Sequence, residues 1–226
     1  MMGIGRRALV AAGVLLVVAV SLMVPRVARR LDFFRVRQVE VVGARYLDQA
    51  DVVRRLGLRG AASTFDDLAP VLRAAAAVPG VVGAAVERRL PGTLRVTIRE
   101  AEPVAIAGTE DHLVLMDSGG RLLPFDPTRQ PESLPIAAQD SSVAHLLAHL
   151  MHADGALYAT VDFARLDRGD VVLDVGSRRI RLRPEADDEV FRAVAAVIHS
   201  LNKSETAWRE IDARYHSRVF VQKGPT

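Results

Sequence analysis

An uncharged run of seventeen residues near the start of the chain, residues 8–24, limits what the N-terminus can be. At about 1.5 Å of helical rise per residue such a run reaches roughly 26 Å, just enough to cross the hydrocarbon core of a bilayer with help from its flanks. Arg6 and Arg7 precede it, and Pro25 and Arg26 end it. A cleaved signal peptide is one reading, with Ala19-Val20-Ser21 as a small-x-small cleavage site. An uncleaved anchor is preferred, because the run continues past Ser21 through Leu22, Met23 and Val24. Arginine count alone is ambiguous for orientation: Arg6 and Arg7 stand against Arg26, Arg29 and Arg30. The free amino terminus and the long chain after the run favour an N-inside topology. That organisation gives a cytoplasmic tail (1–7), an anchor (8–24) and a linker (25–35).

Composition excludes several function classes. The chain has 226 residues and no cysteine, so disulfide scaffolds, thiolate zinc sites and cysteine nucleophiles are ruled out. The formal net charge is +3, but only Lys203 and Lys223 among thirty basic residues are lysines. That arginine bias reads as genome composition rather than a nucleic-acid patch, and no interleaved aromatics offer bases a stacking platform.

After the linker the pattern is strand, helix, helix, strand, strand. Val36, Val39, Val41 and Val42 form a β-branched run that stops at Gly43. Asp48 is placed to cap a helix, with Asp51 at its third position, Leu47 and Val52 as a hydrophobic staple and Gly57 as its stop. A second helix begins near Asp67 and Pro70 and buries Leu68, Val71, Leu72 and Ala75. Val82, Ala84 and Val86 then alternate with polar positions, as do Leu94, Val96 and Ile98. Leu90-Pro91-Gly92-Thr93 turns the hairpin between them.

The hairpin residues Val81, Ala84, Val86, Arg88, Leu90, Pro91, Thr93, Leu94, Val96, Ile98, Glu100, Pro103 and Ala105 carry a resemblance. In this order, behind a short anchor, they resemble the bacterial cell-division FtsQ/DivIB family. Ala101 departs from the basic residue usual there. The resemblance implies an α+β protein: a β-α-α-β-β POTRA domain over 36–103, then a second mixed domain over 104–223 with an antiparallel sheet and packed helices, and a tail at 224–226.

In the second domain, 112–116 and 121–123 read as a hairpin turned at Ser118-Gly119-Gly120, with Asp117 and Gly120 matching a family element. Leu134-Pro135-Ile136 follows, then a helix over 142–152 and strands near 159–166, 170–175 and 179–183. Pro184 opens a further helix, with Glu185, Asp187, Asp188 and Glu189 in its first turn and Val190, Val194, Val197, Ile198 and Leu201 on its apolar face. Strand material closes the chain at 211–215 and 219–221.

The most enzyme-like feature is His145, His149 and His152 on one helical face. An i, i+4 histidine pair can share a zinc ion, but no glutamate follows the first histidine as in HExxH. A solvated polar face is the preferred reading. No nucleophile elbow or phosphate cradle stands out, so no cofactor, small-molecule substrate or nucleic acid is expected. The resemblance implies a non-enzymatic divisome scaffold at the division septum of the inner membrane. It would link FtsB–FtsL type partners by strand addition at the last sheet edge and help control septal peptidoglycan synthesis. Carried over residue by residue, Arg214, Tyr215 and Ser217 match the family's contact stretch, and Arg218 departs from the small residue usual there. Two alternatives stay open: a membrane-tethered POTRA chaperone of envelope biogenesis, or a metal-dependent envelope enzyme using His145 and His149.

Overall fold

The computed structural model describes residues 12–21, 23, 27, 31–58, 60, 62–108, 113–126, 133–215 and 218–224. Residues 12–21 are helical, as are 23 and 27. Among the described residues no helix is long and apolar enough to cross a membrane. The expected tail 1–7, part of the expected anchor (8–11, 22 and 24), His112, Ser217 and the last two residues lie outside the described set. The chain divides into two units, Met1–Glu100 and Ala101–Thr226.

In the first unit, β1 (Gln38–Val42) is followed by α1 (Gln49–Arg55), α2 (Ala69–Ala76), β2 (Val81–Arg89) and β3 (Thr93–Glu100). The sheet order is β1-β3-β2, with β1 parallel and β2 antiparallel to β3. Asp48 caps α1 by accepting from the Ala50 N–H, and Gly57 ends it at φ +63°. The second helix starts differently from expectation: Leu68 occupies the cap position without a side-chain bond, and Asp67 accepts from the Ala69 N–H one residue upstream. Leu94, Val96 and Ile98 are buried, with Val52, Leu56, Val71 and Ala75 packed from the helices. Val82 is a correction. A register shift between Val81 and Gly83 turns it outward, and Val81 packs against the core beside Ala84 and Val86.

The opposite, charged face carries a cross-strand ion pair. Arg95 sits directly opposite Glu40 in the β1–β3 register and grips it twice, Nε to Oε2 at 2.9 Å and Nη2 to Oε1 at 3.1 Å. The Arg95 bond holds the Glu40 carboxyl below the usual range. Arg88 leaves the sheet altogether and donates to the carbonyls of Thr64 (2.7 Å) and Asp66 (2.9 Å).

In the second unit the described strands form one sheet in the order β12-β11-β10-β9-β8-β7-β4-β5-β6. They are β4 (Pro103–Gly108), β5 (Leu113–Asp117), β6 (Leu122–Leu123), β7 (Ile136–Ala137), β8 (Phe163–Asp167), β9 (Asp170–Val175), β10 (Arg178–Leu182), β11 (Trp208–Tyr215) and β12 (Arg218–Lys223). The expected antiparallel sheet is a correction, since β4–β7, β7–β8 and β10–β11 pair in parallel. Parallel neighbours need a long crossover, and helices supply two of them. α3 (Ser141–Ala153) and α4 (Gly155–Tyr158) link β7 to β8, and α5 (Asp188–Lys203) links β10 to β11. Residues 155–158 are therefore helical, and the strand expected from 159 begins at Phe163. Similarly, α5 starts at Asp188 rather than Pro184. Asp187 is extended and caps it through the Glu189 and Val190 N–H groups. Buried Phe191 and Val194 lead its inner face, with Val190, Val197, Ile198 and Leu201 half-buried.

Candidate docking edge

β12 ends the sheet, so one side of its backbone has no neighbouring strand among the described residues. An open strand edge is a template for another chain's strand unless something blunts it. β11 is held to the sheet by its parallel register with β10, Ile180 facing buried Ile211. β12 pairs antiparallel with β11 from Trp208↔Lys223 to Tyr215↔Arg218, with register shifts between Trp208 and Glu210 and between Asp212 and Tyr215.

Two aromatics stand out at this edge. Tyr215 and Phe220 are each 50% exposed, and their rings meet edge to face at 5.4 Å between centroids. Beside them is a groove of about 270 Å³ between α5 and the β11–β12 hairpin. Val190, Ala193, Ala213 and Val219 give it an apolar floor, Asp187 and Glu189 an acidic rim, and Arg218 a basic one.

Arg214 is fixed within its own unit. Its Nε and Nη2 reach Asp212 at 2.8 and 2.6 Å, and its Nη1 reaches Asp170 at 2.7 Å. Its bonds to Asp212 and then Asp170 raise its already high pKa, and the Arg214 bond in turn pulls Asp212 below the carboxylate range. The guanidinium carbon also lies 5.6 Å from the Tyr215 ring centroid, within cation–π range. Of the three residues expected at the site, Arg214 and Tyr215 are thus adjacent at the end of β11, and Ser217 lies outside the described residues. Phe220 is the one that sequence reasoning missed. Its signal was present, since it sits among the alternating positions of the terminal strand.

The histidine helix is arranged otherwise than a metal site would be. His145 is exposed. His149 Nε2 meets Asp188 Oδ1 at 2.7 Å while its ring edge rests on Phe191, tying α3 to the start of α5. His152 bonds the Ala148 carbonyl at 2.7 Å and lies 3.6 Å from Glu102. Among the described residues no group of three or more His, Cys, Asp or Glu side chains converges as a metal would need.

Two helices over one face of a three-stranded sheet in the order β1-β3-β2 define the first unit as a POTRA-type domain. Residues 34–101 match the family model for a POTRA domain of the FtsQ type. Three relatives, each named "Cell division protein FtsQ", extend the likeness. That of Zymomonas mobilis is 33% identical over 141 residues, 58% of this chain and 42% of the relative. That of Rickettsia typhi is 23% identical over 206 residues, 84% of this chain and 73% of the relative. That of Rhodothermus marinus is 34% identical over 96 residues, 42% of this chain and 32% of the relative. The chain therefore spans less than half the length of the first and third of these relatives. The chain is thus similar to cell-division proteins named FtsQ, and its residues 34–101 match the POTRA domain of that type.

Proposed function

We propose that this chain is a non-enzymatic scaffold of the division machinery, a single-pass inner-membrane protein anchored by residues 8–24. Its tail 1–7 is cytoplasmic, and the chain after the anchor lies outside the cytoplasm at the septum. It links FtsB–FtsL type partners and thereby helps control septal peptidoglycan synthesis. The observation that carries the reading is the open β12 edge with two half-exposed aromatics beside a groove. A partner strand pairing with β12 would satisfy its free backbone groups while its side chains fill the groove. Tyr215 serves as the aromatic anchor, and Arg214, clamped by Asp212 and Asp170, as a fixed positive charge at the same point. Ser217 joins them in the contact stretch.

The test is capture of candidate FtsB and FtsL segments by the full chain and by Tyr215→Glu. Tyr215 is half-exposed, so the variant is expected to keep the wild-type circular dichroism. Its affinity should fall by about tenfold or more, as for an interface hot spot. If the wild type captures neither segment, or the variant binds as well, the edge assignment is wrong. Filamentous growth on depletion is the expected cellular counterpart.

A further inference from the structure

The start of the first unit is tied to the tip of its hairpin. Asp32–Phe34 forms a short 3-10 turn. The Phe34 carbonyl accepts from the Thr64 N–H at 2.8 Å and the Thr64 hydroxyl at 3.2 Å. That hydroxyl also reaches the Pro91 carbonyl at 3.1 Å. The Arg37 N–H donates to the Gly92 carbonyl at 2.8 Å, and its guanidinium to the Phe33 carbonyl at 3.1 Å. A Cβ on Gly92 would stand 2.7 Å from the Arg35 carbonyl, so the close approach of turn and strap requires glycine. The strap and the Leu90-Pro91-Gly92 turn therefore form one end of the unit.

That end exposes large apolar side chains for which the core has no use: Leu31 at 48%, Phe33 at 61% and Leu90 at 59%. Charge accompanies them. Residues 25–37 hold five arginines and one acid, Asp32, which pairs with Arg35 at 3.0 Å. Elsewhere at this end Arg89 lies 3.9 Å from Glu87, and Arg88 is spent on backbone carbonyls. The surplus of positive charge thus belongs to the strap and the residues leading into it. Position supplies the third argument. Leu31 stands seven positions after Val24, at most about 25 Å of chain even if fully extended. An end so tethered, with exposed aliphatic and aromatic side chains amid arginines, has the chemistry of an interfacial segment: apolar groups in the headgroup layer, guanidinium groups on phosphates.

We infer that this end of the first unit rests in the headgroup layer of the bilayer, with Leu31, Phe33 and Leu90 inserted and the arginine surplus of residues 25–37 matched to lipid phosphates. The inference rests on the anchor reading of residues 8–24, and its test separates the two. The chain has no cysteine, so single cysteines carry a fluorophore without competition. The full chain is placed in vesicles of phosphatidylcholine, with or without phosphatidylglycerol, as Val17→Cys, Leu31→Cys, Leu90→Cys and Gln49→Cys. Gln49 is exposed and follows Leu47, whose N–H bonds Glu100 at the opposite end of β3 from the hairpin turn. Lipid carrying a nitroxide on its headgroup should quench the Leu31 and Leu90 labels at least about twofold more than the Gln49 label, and more strongly with phosphatidylglycerol present. Equal quenching in the two vesicle types removes the arginines from the contact. Leu31 and Leu90 labels quenched no more than Gln49 overturn the inference, while quenching of the Val17 label by lipid carrying its nitroxide deep in the acyl chain leaves the anchor standing. A Val17 label that the acyl-chain nitroxide does not quench overturns the anchor itself.

Discussion

Glu100 closes the turn between β1 and α1 by accepting from three backbone N–H groups, those of Arg45, Tyr46 and Leu47, at 2.8 to 3.0 Å. A charged acceptor satisfying three donors outweighs an ordinary surface pair. Glu100→Gln should destabilise the first unit by about 1–2 kcal/mol. Amide exchange at residues 45–47 is expected to accelerate while that of β3 changes less. Gly43 lies at the start of the same turn with φ +89°, and a Cβ there would stand 2.1 Å from the Ile98 carbonyl. Gly43→Ala is therefore expected to cost more, about 3 kcal/mol, measured by denaturant unfolding. The glycine was legible in the sequence as the stop of a β-branched run. The glutamate's role was not, because its partners lie more than fifty positions away.

Helix starts show how far local chemistry reaches. Asp140 caps α3 through the Ser142 and Val143 N–H groups, so Asp140→Ala should lower stability by about 1 kcal/mol in thermal unfolding. Asp48 and Asp187 act likewise on α1 and α5; Asp48 was readable as a short acceptor ahead of an apolar period, whereas the sequence placed Asp187 inside the first turn. Pro184 misled because proline suits a first helical turn. Here the chain first makes a tight turn, with the Ala186 N–H on the Arg183 carbonyl, and buries Ala186 before the helix can start. Phe191 was missed on the inner face of α5 although it is fully buried there. Phe191→Ala is expected to cost about 3–4 kcal/mol, the largest single loss on that helix. The groove beside β12 lies along the same helix, so this variant should also weaken capture of the partner segments.

Across the molecule, acid should act through paired carboxylates. The Arg181 bond holds Asp167 low, and the Arg214 bond holds Asp212 low. At Asp117 burial opposes the charge, but the Arg121 and Gly119 N–H groups and the Arg121 guanidinium outweigh it and lower the pKa. Each of these groups binds fewer protons folded than unfolded. Their stabilisation is therefore complete above the unfolded carboxylate value near ~4 and is lost as pH falls through the lower folded values. Trp208, the single tryptophan and buried in the second unit, reports that unit's unfolding. Its thermal midpoint should be nearly constant from about pH 7 to 5 and fall steadily below about pH 4. By itself the sequence determined the β-α-α-β-β order, the hairpin turn, the Asp48 cap and most of the apolar faces, because each depends on residues a few positions apart. The tertiary structure alone decided the parallel pairings of β7 and β11, the outward turn of Val82, the binding of His149 to Asp188, and the placement of Tyr215 with Phe220 on an open edge. These depend on which distant segments become neighbours, and periodicity along one segment carries no record of its partner.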